Sequence, residues 1–348
     1  MTSGEHNRHK LRQRQHLTVD VTKKKIDVTA ALIVKDGRIL AARRAPGKHL
    51  AGYWEFPGGK LEPNETPESC LERELAEEFS ISTRVHSFIG ESVHDYGEKV
   101  VRLLGYEVEH TAGDFELVDH DELRWLSVDE LYEVEWAPAD IPLVEQYQLR
   151  ARTSAYYLIN AQEYCEETSG LEVDDLYPPF LALLEPGAHI LDLGCGSGRD
   201  SKAFCDKGYR VTPVDGSPSI AAWASAHIGQ SVQVKLFQEI DYINEFDGVW
   251  ASASLLHCPP EELGGALGRI LTSLKANGVA YMSFKWGKSP SVDSWGRHFT
   301  NFTTETLTDT LVDLPNTDVL DIWKSEMDLR GKPQRWVNAI IRKQGGRA

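Results

Sequence analysis

The sequence predicts two domains in tandem, an α+β unit built on a mixed sheet followed by an α/β unit with a doubly wound, mostly parallel sheet. Three observations predict it. At 348 residues the chain exceeds what one hydrophobic core usually organises, so length alone implies two domains of ordinary size. The first 150 residues are rich in apolar strands and poor in helical periods. Beyond residue 150 the order becomes strand, glycine turn, amphipathic helix, repeated, which is the pattern of a parallel sheet with both faces covered.

Residues 26–34 and 38–43 are apolar runs separated by Lys35-Asp36-Gly37, a turn signal that predicts a hairpin. A Gly/Pro-rich loop at 57–64 leads into 66–79, where Leu71, Leu75 and Phe79 recur at helical spacing and Pro67 sits where a helix start tolerates it. Alternating stretches at 83–93 and 99–109 predict two more strands. A short LRWL strand follows, then helices over DELYEV and ADIPLVEQYQ. In the second half HILDLG, RDSKAFCDKG and YRVTPVDG read as strand, helix, strand, while DVLDIWKSEMD and RWVNAIIRK read as closing strands. The boundaries are set at a polar basic tail (1–22), a first domain (23–150) and a second (151–348), with a helix bridging the two near Arg150 to Ser154.

Hydrophobic residues at 41% and charged residues at 26% match a soluble globular protein. The first 20 residues hold no apolar segment of signal-peptide type, and no stretch approaches the roughly 20 apolar residues that span a bilayer. The expectation is a cytoplasmic protein without a membrane partner. Cys70, Cys165, Cys195, Cys205 and Cys258 show no paired spacing suited to zinc and read as reduced thiols. A net charge of −16, from 53 acidic against 37 basic residues, disfavours a nucleic-acid partner. The one basic run is Arg8, Lys10, Arg12 and Arg14 in the tail.

The first chemical constellation lies on the helix after the glycine loop. Glu74, Glu77 and Glu78 stand at i, i+3 and i+4, so a helix projects three carboxylates from one face. That much like charge calls for a hard cation, and oxygen ligands suit Mg²⁺ or Mn²⁺. Gly59, Glu65, Arg73, Glu74, Glu77 and Glu78 together resemble the Nudix box, at every specified position except Ser80, where that family has glycine. The resemblance implies a mixed-sheet Nudix fold, Arg73 paired with Glu65 to pin the loop, and the Gly58 carbonyl as a fourth metal ligand. A serine in the left-handed conformation expected at Ser80 costs about 1 kcal/mol relative to glycine.

The neighbourhood RRAPGKHLAGYWEFPGGKLEPNETPES is similar to the MutT-like branch, which implies hydrolysis of a nucleoside triphosphate to monophosphate and pyrophosphate. By that resemblance Arg44 contacts phosphate and Asp119, beside Asp121 and Glu122, supports metal or water. His49 either faces the substrate or is an exposed loop histidine. Asp140 either reads a base edge that donates hydrogen bonds or caps the helix that follows.

The second constellation is HILDLGCGSGRDS, with Asp192 ending a strand and Gly194, Gly196 and Gly198 in the turn. Arg199 stands where a nicotinamide fingerprint needs glycine. Asp215 ends the next strand, placed to accept ribose hydroxyls. These residues, with FDGVWASASLLH and LTSLKANGVAYMSF, resemble class I methyltransferases of the TehB-like or small-molecule type. The resemblance implies a seven-stranded Rossmann-like sheet and S-adenosylmethionine as cofactor, with Phe237 and Gln238 as adenine neighbours unless they are core and surface. His257 is either a base at the acceptor pocket or a structural histidine. The reading HCPP after the fourth strand lacks the D/N-P-P-Y of exocyclic-amine methylases, and Cys258 precedes rather than follows a proline. A small-molecule acceptor is therefore expected. Two alternatives stay open: a nucleotide-sensing first domain that regulates the second, and a nucleic-acid modification enzyme that uses the basic tail.

Overall fold

A computed structural model describes residues 23–329 and 332–345; the basic run at 8–14 lies outside them. β1 (Lys24–Lys35) and β2 (Arg38–Arg44) form the expected hairpin, registered Val34 to Ile39. Asp36 and Gly37 both take positive φ, as a two-residue hairpin turn requires. β3 (Trp54–Glu55) pairs with β2, helix α1 (Pro67–Phe79) follows, and β4 (Ser82–Asp95), β5 (Lys99–Ala112) and β6 (His120–Leu126) complete the sheet. β1 runs parallel to β5, and the other pairings are antiparallel.

Alternation along β1 and β2 explains how this sheet is covered. Ala31, Ile33, Leu40 and Ala42 face α1 through Leu71, Leu75 and Phe79. Ala30, Leu32, Ile39 and Ala41 face the opposite layer, where Leu143 and Val144 pack. Successive residues of a strand point to opposite faces, so a strand apolar throughout is one buried on both.

The segment DELYEV is a series of turns instead of a helix. Ser127 and Glu130 carbonyls accept three-residue turn bonds, and the Glu130 carboxylate takes the Ser127 amide and the Arg38 guanidinium, which ties it down locally. The next helix is longer than expected. α2 (Ile141–Ile159) passes without a break through residues 150–154, so the polypeptide changes neighbours along one helix.

After α2 come α3 (Ala161–Ser169) and α4 (Tyr177–Leu181), then β7 (His189–Leu193), α5 (Arg199–Asp206), β8 (Arg210–Asp215), α6 (Pro218–Ile228) and β9 (Gln233–Val234). β10 (Phe246–Ala251), α7 (Pro260–Ser273) and β11 (Leu274–Lys285) follow. A small hairpin of β12 (Ser291–Val292) and β13 (His298–Phe299), α8 (Thr304–Val312), β14 (Thr317–Leu329) and β15 (Lys332–Lys343) close the chain. The sheet is seven-stranded in the order β14-β15-β11-β10-β7-β8-β9. β7 to β11 are parallel, with β15 antiparallel to β11 and to β14. The strand order reverses between β7 and β10, and the carboxyl ends flanking that point form the crevice where ligands of such sheets bind. No helix among the described residues is long and apolar enough to cross a membrane.

Candidate functional sites

The first site forms where the loop at 56–60 lies across α1 and β1. Gly58 is required by contact: a Cβ there would sit 2.0 Å from the Thr29 carbonyl oxygen. The flanking carbonyls of Pro57 and Gly59 accept the Ala31 and Thr29 amides at 2.7 and 2.8 Å. The Gly58 carbonyl takes no such bond among the described residues, which leaves it available to a cation. Gly59 is required by a side chain instead, because its Cβ would fall 2.0 Å from the Glu74 carboxyl carbon. The two glycines therefore set the loop on β1 and make room for Glu74.

Arg73 grips Glu65 through Nε and Nη2 at 2.9 and 3.0 Å, and its Nη1 donates to Glu74 at 2.9 Å. The guanidinium holds the Glu65 carboxyl down to about 2. Glu74 and Glu78 are shielded, whereas the Glu77 side chain is 62% exposed. Burial, with Asp119, Glu74 and Glu55 adding negative charge, pushes Glu78 up to about 7. The helix ends as expected, with Ser80 at φ 57° and its hydroxyl donating to Glu116.

Two residues absent from the sequence reading complete this wall. Glu55 accepts Arg44 Nη1 and His120 Nε2, the latter at 2.8 Å. His120 is buried, stacks on Phe79, and points Nδ1 at Glu78 across 3.8 Å with no hydrogen bond to it. A crowd of shielded carboxylates beside an orphaned ring nitrogen fits a hard divalent cation in charge and donor chemistry. The side chains are nevertheless not gathered: no group of three His, Cys, Asp or Glu among the described residues stands at metal-holding distance. Glu74 is turned onto Arg73 and Glu77 toward solvent.

Arg44 is committed to Glu55 and to the His49 carbonyl, and Asp119 to Lys48 at 2.6 Å. His49 meets the Tyr96 ring edge-on, and Tyr96 meets His94 in the same way. Asp140 does not cap α2; its Oδ1 accepts the Phe56 amide at 2.8 Å. Burial and the neighbouring Glu55 raise Asp140 well above the usual carboxylate range.

The second site lies at the carboxyl ends of β7, β8 and β10. Gly194, Gly196 and Gly198 all take positive φ, and a Cβ on Gly194 would meet Ser254 at 2.4 Å. Asp192 accepts the Ser201 hydroxyl, and burial beside Asp200 raises it to about 8. Asp215 receives the amides of Gly196 and Ser217 at 3.0 and 2.9 Å, and burial lifts it to about 6. Phe237 and Gln238 form a half-buried helical turn after β9, with Phe237 packed on the core.

His257 follows β10 and is locked from both sides. Nδ1 lies 2.7 Å from the His298 carbonyl and Nε2 2.7 Å from the Tyr157 hydroxyl. Burial, with Arg297 and Lys285 nearby, drives it down to about 3, so it stays neutral at physiological pH and is a poor proton acceptor. Tyr157 and Arg297, distant from His257 in sequence, were not found by the sequence reading.

Carboxylates behind a glycine loop in the first half, and acids flanking a glycine turn at the switch point in the second, define a two-site enzyme of hydrolase-plus-transferase type. The family described as NUDIX domain matches residues 23–147, and that described as Methyltransferase domain matches residues 190–278. The chain is 38% identical over 133 residues to a CTP pyrophosphohydrolase of Escherichia coli (strain K12), covering 38% of this chain and 98% of that protein. It is 42% identical over 82 residues to an 8-oxo-dGTP diphosphatase of Proteus vulgaris, covering 23% and 73%. A Burkholderia thailandensis 1,6-didemethyltoxoflavin-N1-methyltransferase structure aligns with TM-score 0.47 and 24% identity, covering 60% of this chain and 91% of that one. The chain belongs to the Nudix family through its first half and carries a methyltransferase domain in its second; it is an enzyme of both kinds.

Proposed function

We propose that the first half, residues 23–150, hydrolyses a nucleoside triphosphate to the monophosphate and pyrophosphate. The second, residues 151–348, transfers a methyl group from S-adenosylmethionine to a small molecule, and the protein works in the cytoplasm. The observation that carries the first activity is the shielded pair Glu74 and Glu78 behind Gly58 and Gly59, with Glu78 raised to about 7 by burial and like charge. Glu74, Glu77, Glu78 and the Gly58 carbonyl are the groups that would hold Mg²⁺ or Mn²⁺. The bound ion neutralises phosphate charge. Glu77, the exposed carboxylate of the three, is held only by a 3.5 Å ion pair to Arg73 and is the one that swings toward substrate. His120 holds Glu55, Glu55 holds Arg44, and Arg44 meets phosphate once His49 and Glu55 yield it. Asp140, held by the Phe56 amide on Oδ1, reads a base edge that donates a hydrogen bond.

In the second half Asp215 is the partner for ribose hydroxyls and the glycine turn admits the methionine end of the cofactor. Phe237 and Gln238 flank its adenine. Transfer from a sulfonium needs chiefly alignment of donor and acceptor. His257 serves that alignment as a positioning residue, since burial keeps it neutral.

Two substitutions test the pair of activities. Glu77→Gln is expected to abolish pyrophosphate release with Mg²⁺ from a nucleotide panel while S-adenosylmethionine binding stays intact; Asp215→Ala is expected to do the reverse. Loss of both activities from either change would contradict independent sites. Mg²⁺ binding followed by calorimetry gives a readout separate from turnover. A first half that binds nucleotides but releases no pyrophosphate would support the sensing reading instead.

A further inference from the structure

Three groups around the end of α2 have hydrogen-bonding roles that determine one another. The His298 carbonyl can only accept, so the His257 Nδ1 that lies 2.7 Å from it must carry the proton. A neutral imidazole has one N–H, which leaves Nε2 bare. The Tyr157 hydroxyl, 2.7 Å from Nε2, must then donate to it. Arg297 Nη1 approaches the same oxygen at 3.5 Å and occupies one lone pair. A phenol oxygen whose proton is spent inward presents its remaining lone pair outward as an acceptor.

Tyr157 is linked to the methyl-donor turn through one neighbour, Tyr164. The Tyr157 ring meets the Tyr164 ring edge-on at 5.1 Å, and the Tyr164 hydroxyl lies 3.4 Å from where a Gly196 Cβ would be. Arg297 lies over the Tyr156 ring at 4.1 Å, and its carboxylate partner Asp293 keeps it in place. Phe299 closes the other side against His257. The surroundings are aromatic, and the Tyr157 oxygen is a directed acceptor among them.

We propose that Tyr157 contacts the methyl acceptor and accepts a hydrogen bond from its nucleophilic atom, His257 being the positioning residue that turns the phenol. The acceptor class this contact favours is one whose reacting nitrogen or oxygen carries a hydrogen: the methyl moves from the sulfonium sulfur to that atom, leaving a neutral thioether, and the hydrogen departs as a proton to water. This rests on the methyltransferase reading of the second half. Burial holds His257 neutral, in line with a fixed tautomer.

The test uses the full chain labelled with ¹⁵N-histidine, with and without S-adenosylhomocysteine. His257→Asn assigns the signal. At pH 7 the expected spectrum has Nδ1 protonated and Nε2 bare with a hydrogen-bond shift, and Tyr157→Phe removes that shift without changing the tautomer. A protonated Nε2, in the free or bound chain, overturns the proposal. Phenol and anisole, alike in shape but with one O–H between them, are then titrated into the S-adenosylhomocysteine complex. Phenol is expected to bind about 10-fold more tightly, the equivalent of one buried hydrogen bond, and Tyr157→Phe should bring the ratio near one. Equal binding of the two to the unmodified chain, or binding of neither, overturns the proposal. A chain that binds no S-adenosylhomocysteine sinks the methyltransferase reading, and one that binds it without preferring phenol sinks only the role of Tyr157.

Discussion

Gly58 and Gly59 are adjacent, yet replacing each by alanine should fail for opposite reasons. In Gly58→Ala the new methyl falls 2.0 Å from the Thr29 carbonyl oxygen, a backbone atom of β1 that no rotamer can move. The loop must lift by an ångström or more, which breaks the Ala31-to-Pro57 and Thr29-to-Gly59 bonds. Each is worth about 1 kcal/mol net, and overpacking adds about 1–3 kcal/mol, so a loss of about 3–5 kcal/mol is expected. In Gly59→Ala the obstacle is the Glu74 carboxylate, the end of a flexible chain. Glu74 swings out and gives up its bond to Arg73, a part-exposed contact worth under about 1 kcal/mol.

Stability should separate the two, whereas activity should fall in both. A group displaced by about 1 Å from its working position lowers turnover about 100-fold, so Gly59→Ala should remain folded with pyrophosphate release reduced about 100-fold or more. Gly58→Ala should lose at least as much, because the lifted loop carries the Gly58 carbonyl with it, and osmolyte should restore its fold without restoring its rate. Denaturant unfolding of the full chain together with pyrophosphate release reads both quantities. If Gly59→Ala unfolds like Gly58→Ala, or keeps its full rate, the assignment of Gly59 as the space for Glu74 is wrong.

Ser80→Gly should stabilise the first half by about 0.5 kcal/mol. Relief of the left-handed serine, about 1 kcal/mol, is offset by loss of the exposed bond to Glu116, and a lower midpoint in calorimetry would contradict it. Glu262 on α7, 3.8 Å from Arg150 of α2, is pushed up by burial to about 7 from 4.5. A carboxyl raised in the fold contributes stability below its unfolded value that is lost as pH rises through the folded one. Glu262→Gln should therefore match the parent near pH 4.5 and exceed it by about 3 kcal/mol at pH 8 in urea unfolding. A parent that is the more stable of the two at pH 8 would show Glu262 to be a net stabilising partner of Arg150.

What the sequence made legible was whatever has a period or a fixed spacing. α1 shows its apolar face at Leu71, Leu75 and Phe79 and its charged face at Glu74 and Glu78, so the helix and the wall it builds were both readable. The same holds for Asp192 and Asp215 at strand ends. DELYEV was misread because its turn is fixed by Glu130 reaching back to Ser127 and across to Arg38, a tertiary preference with no periodic signature. Glu55 and His120 escaped notice for a related reason. β3 has two residues, too few for alternation to mark which side chain faces inward, and His120 heads the charged run HDEL, where burial is the last thing expected. Arg297 is 140 residues from Tyr157, and no spacing rule spans that distance.

The length of α2 changes how the two halves are to be understood. Its first turn follows Asp140, whose carboxyl holds the Phe56 amide beside the hydrolase site, and Leu143 and Val144 sit in the first half's core. Thr153 then accepts the His298 amide, and the Tyr157 hydroxyl meets His257 in the second half. From 140 to 157 an unbroken helix rises about 25 Å, and such a rod has few soft degrees of freedom along its axis. Tyr157, the partner of His257 in the second half, thus stands on a helix rooted in the first. A cut at residue 150 would separate Tyr157 from the core in which Leu143 and Val144 anchor that helix.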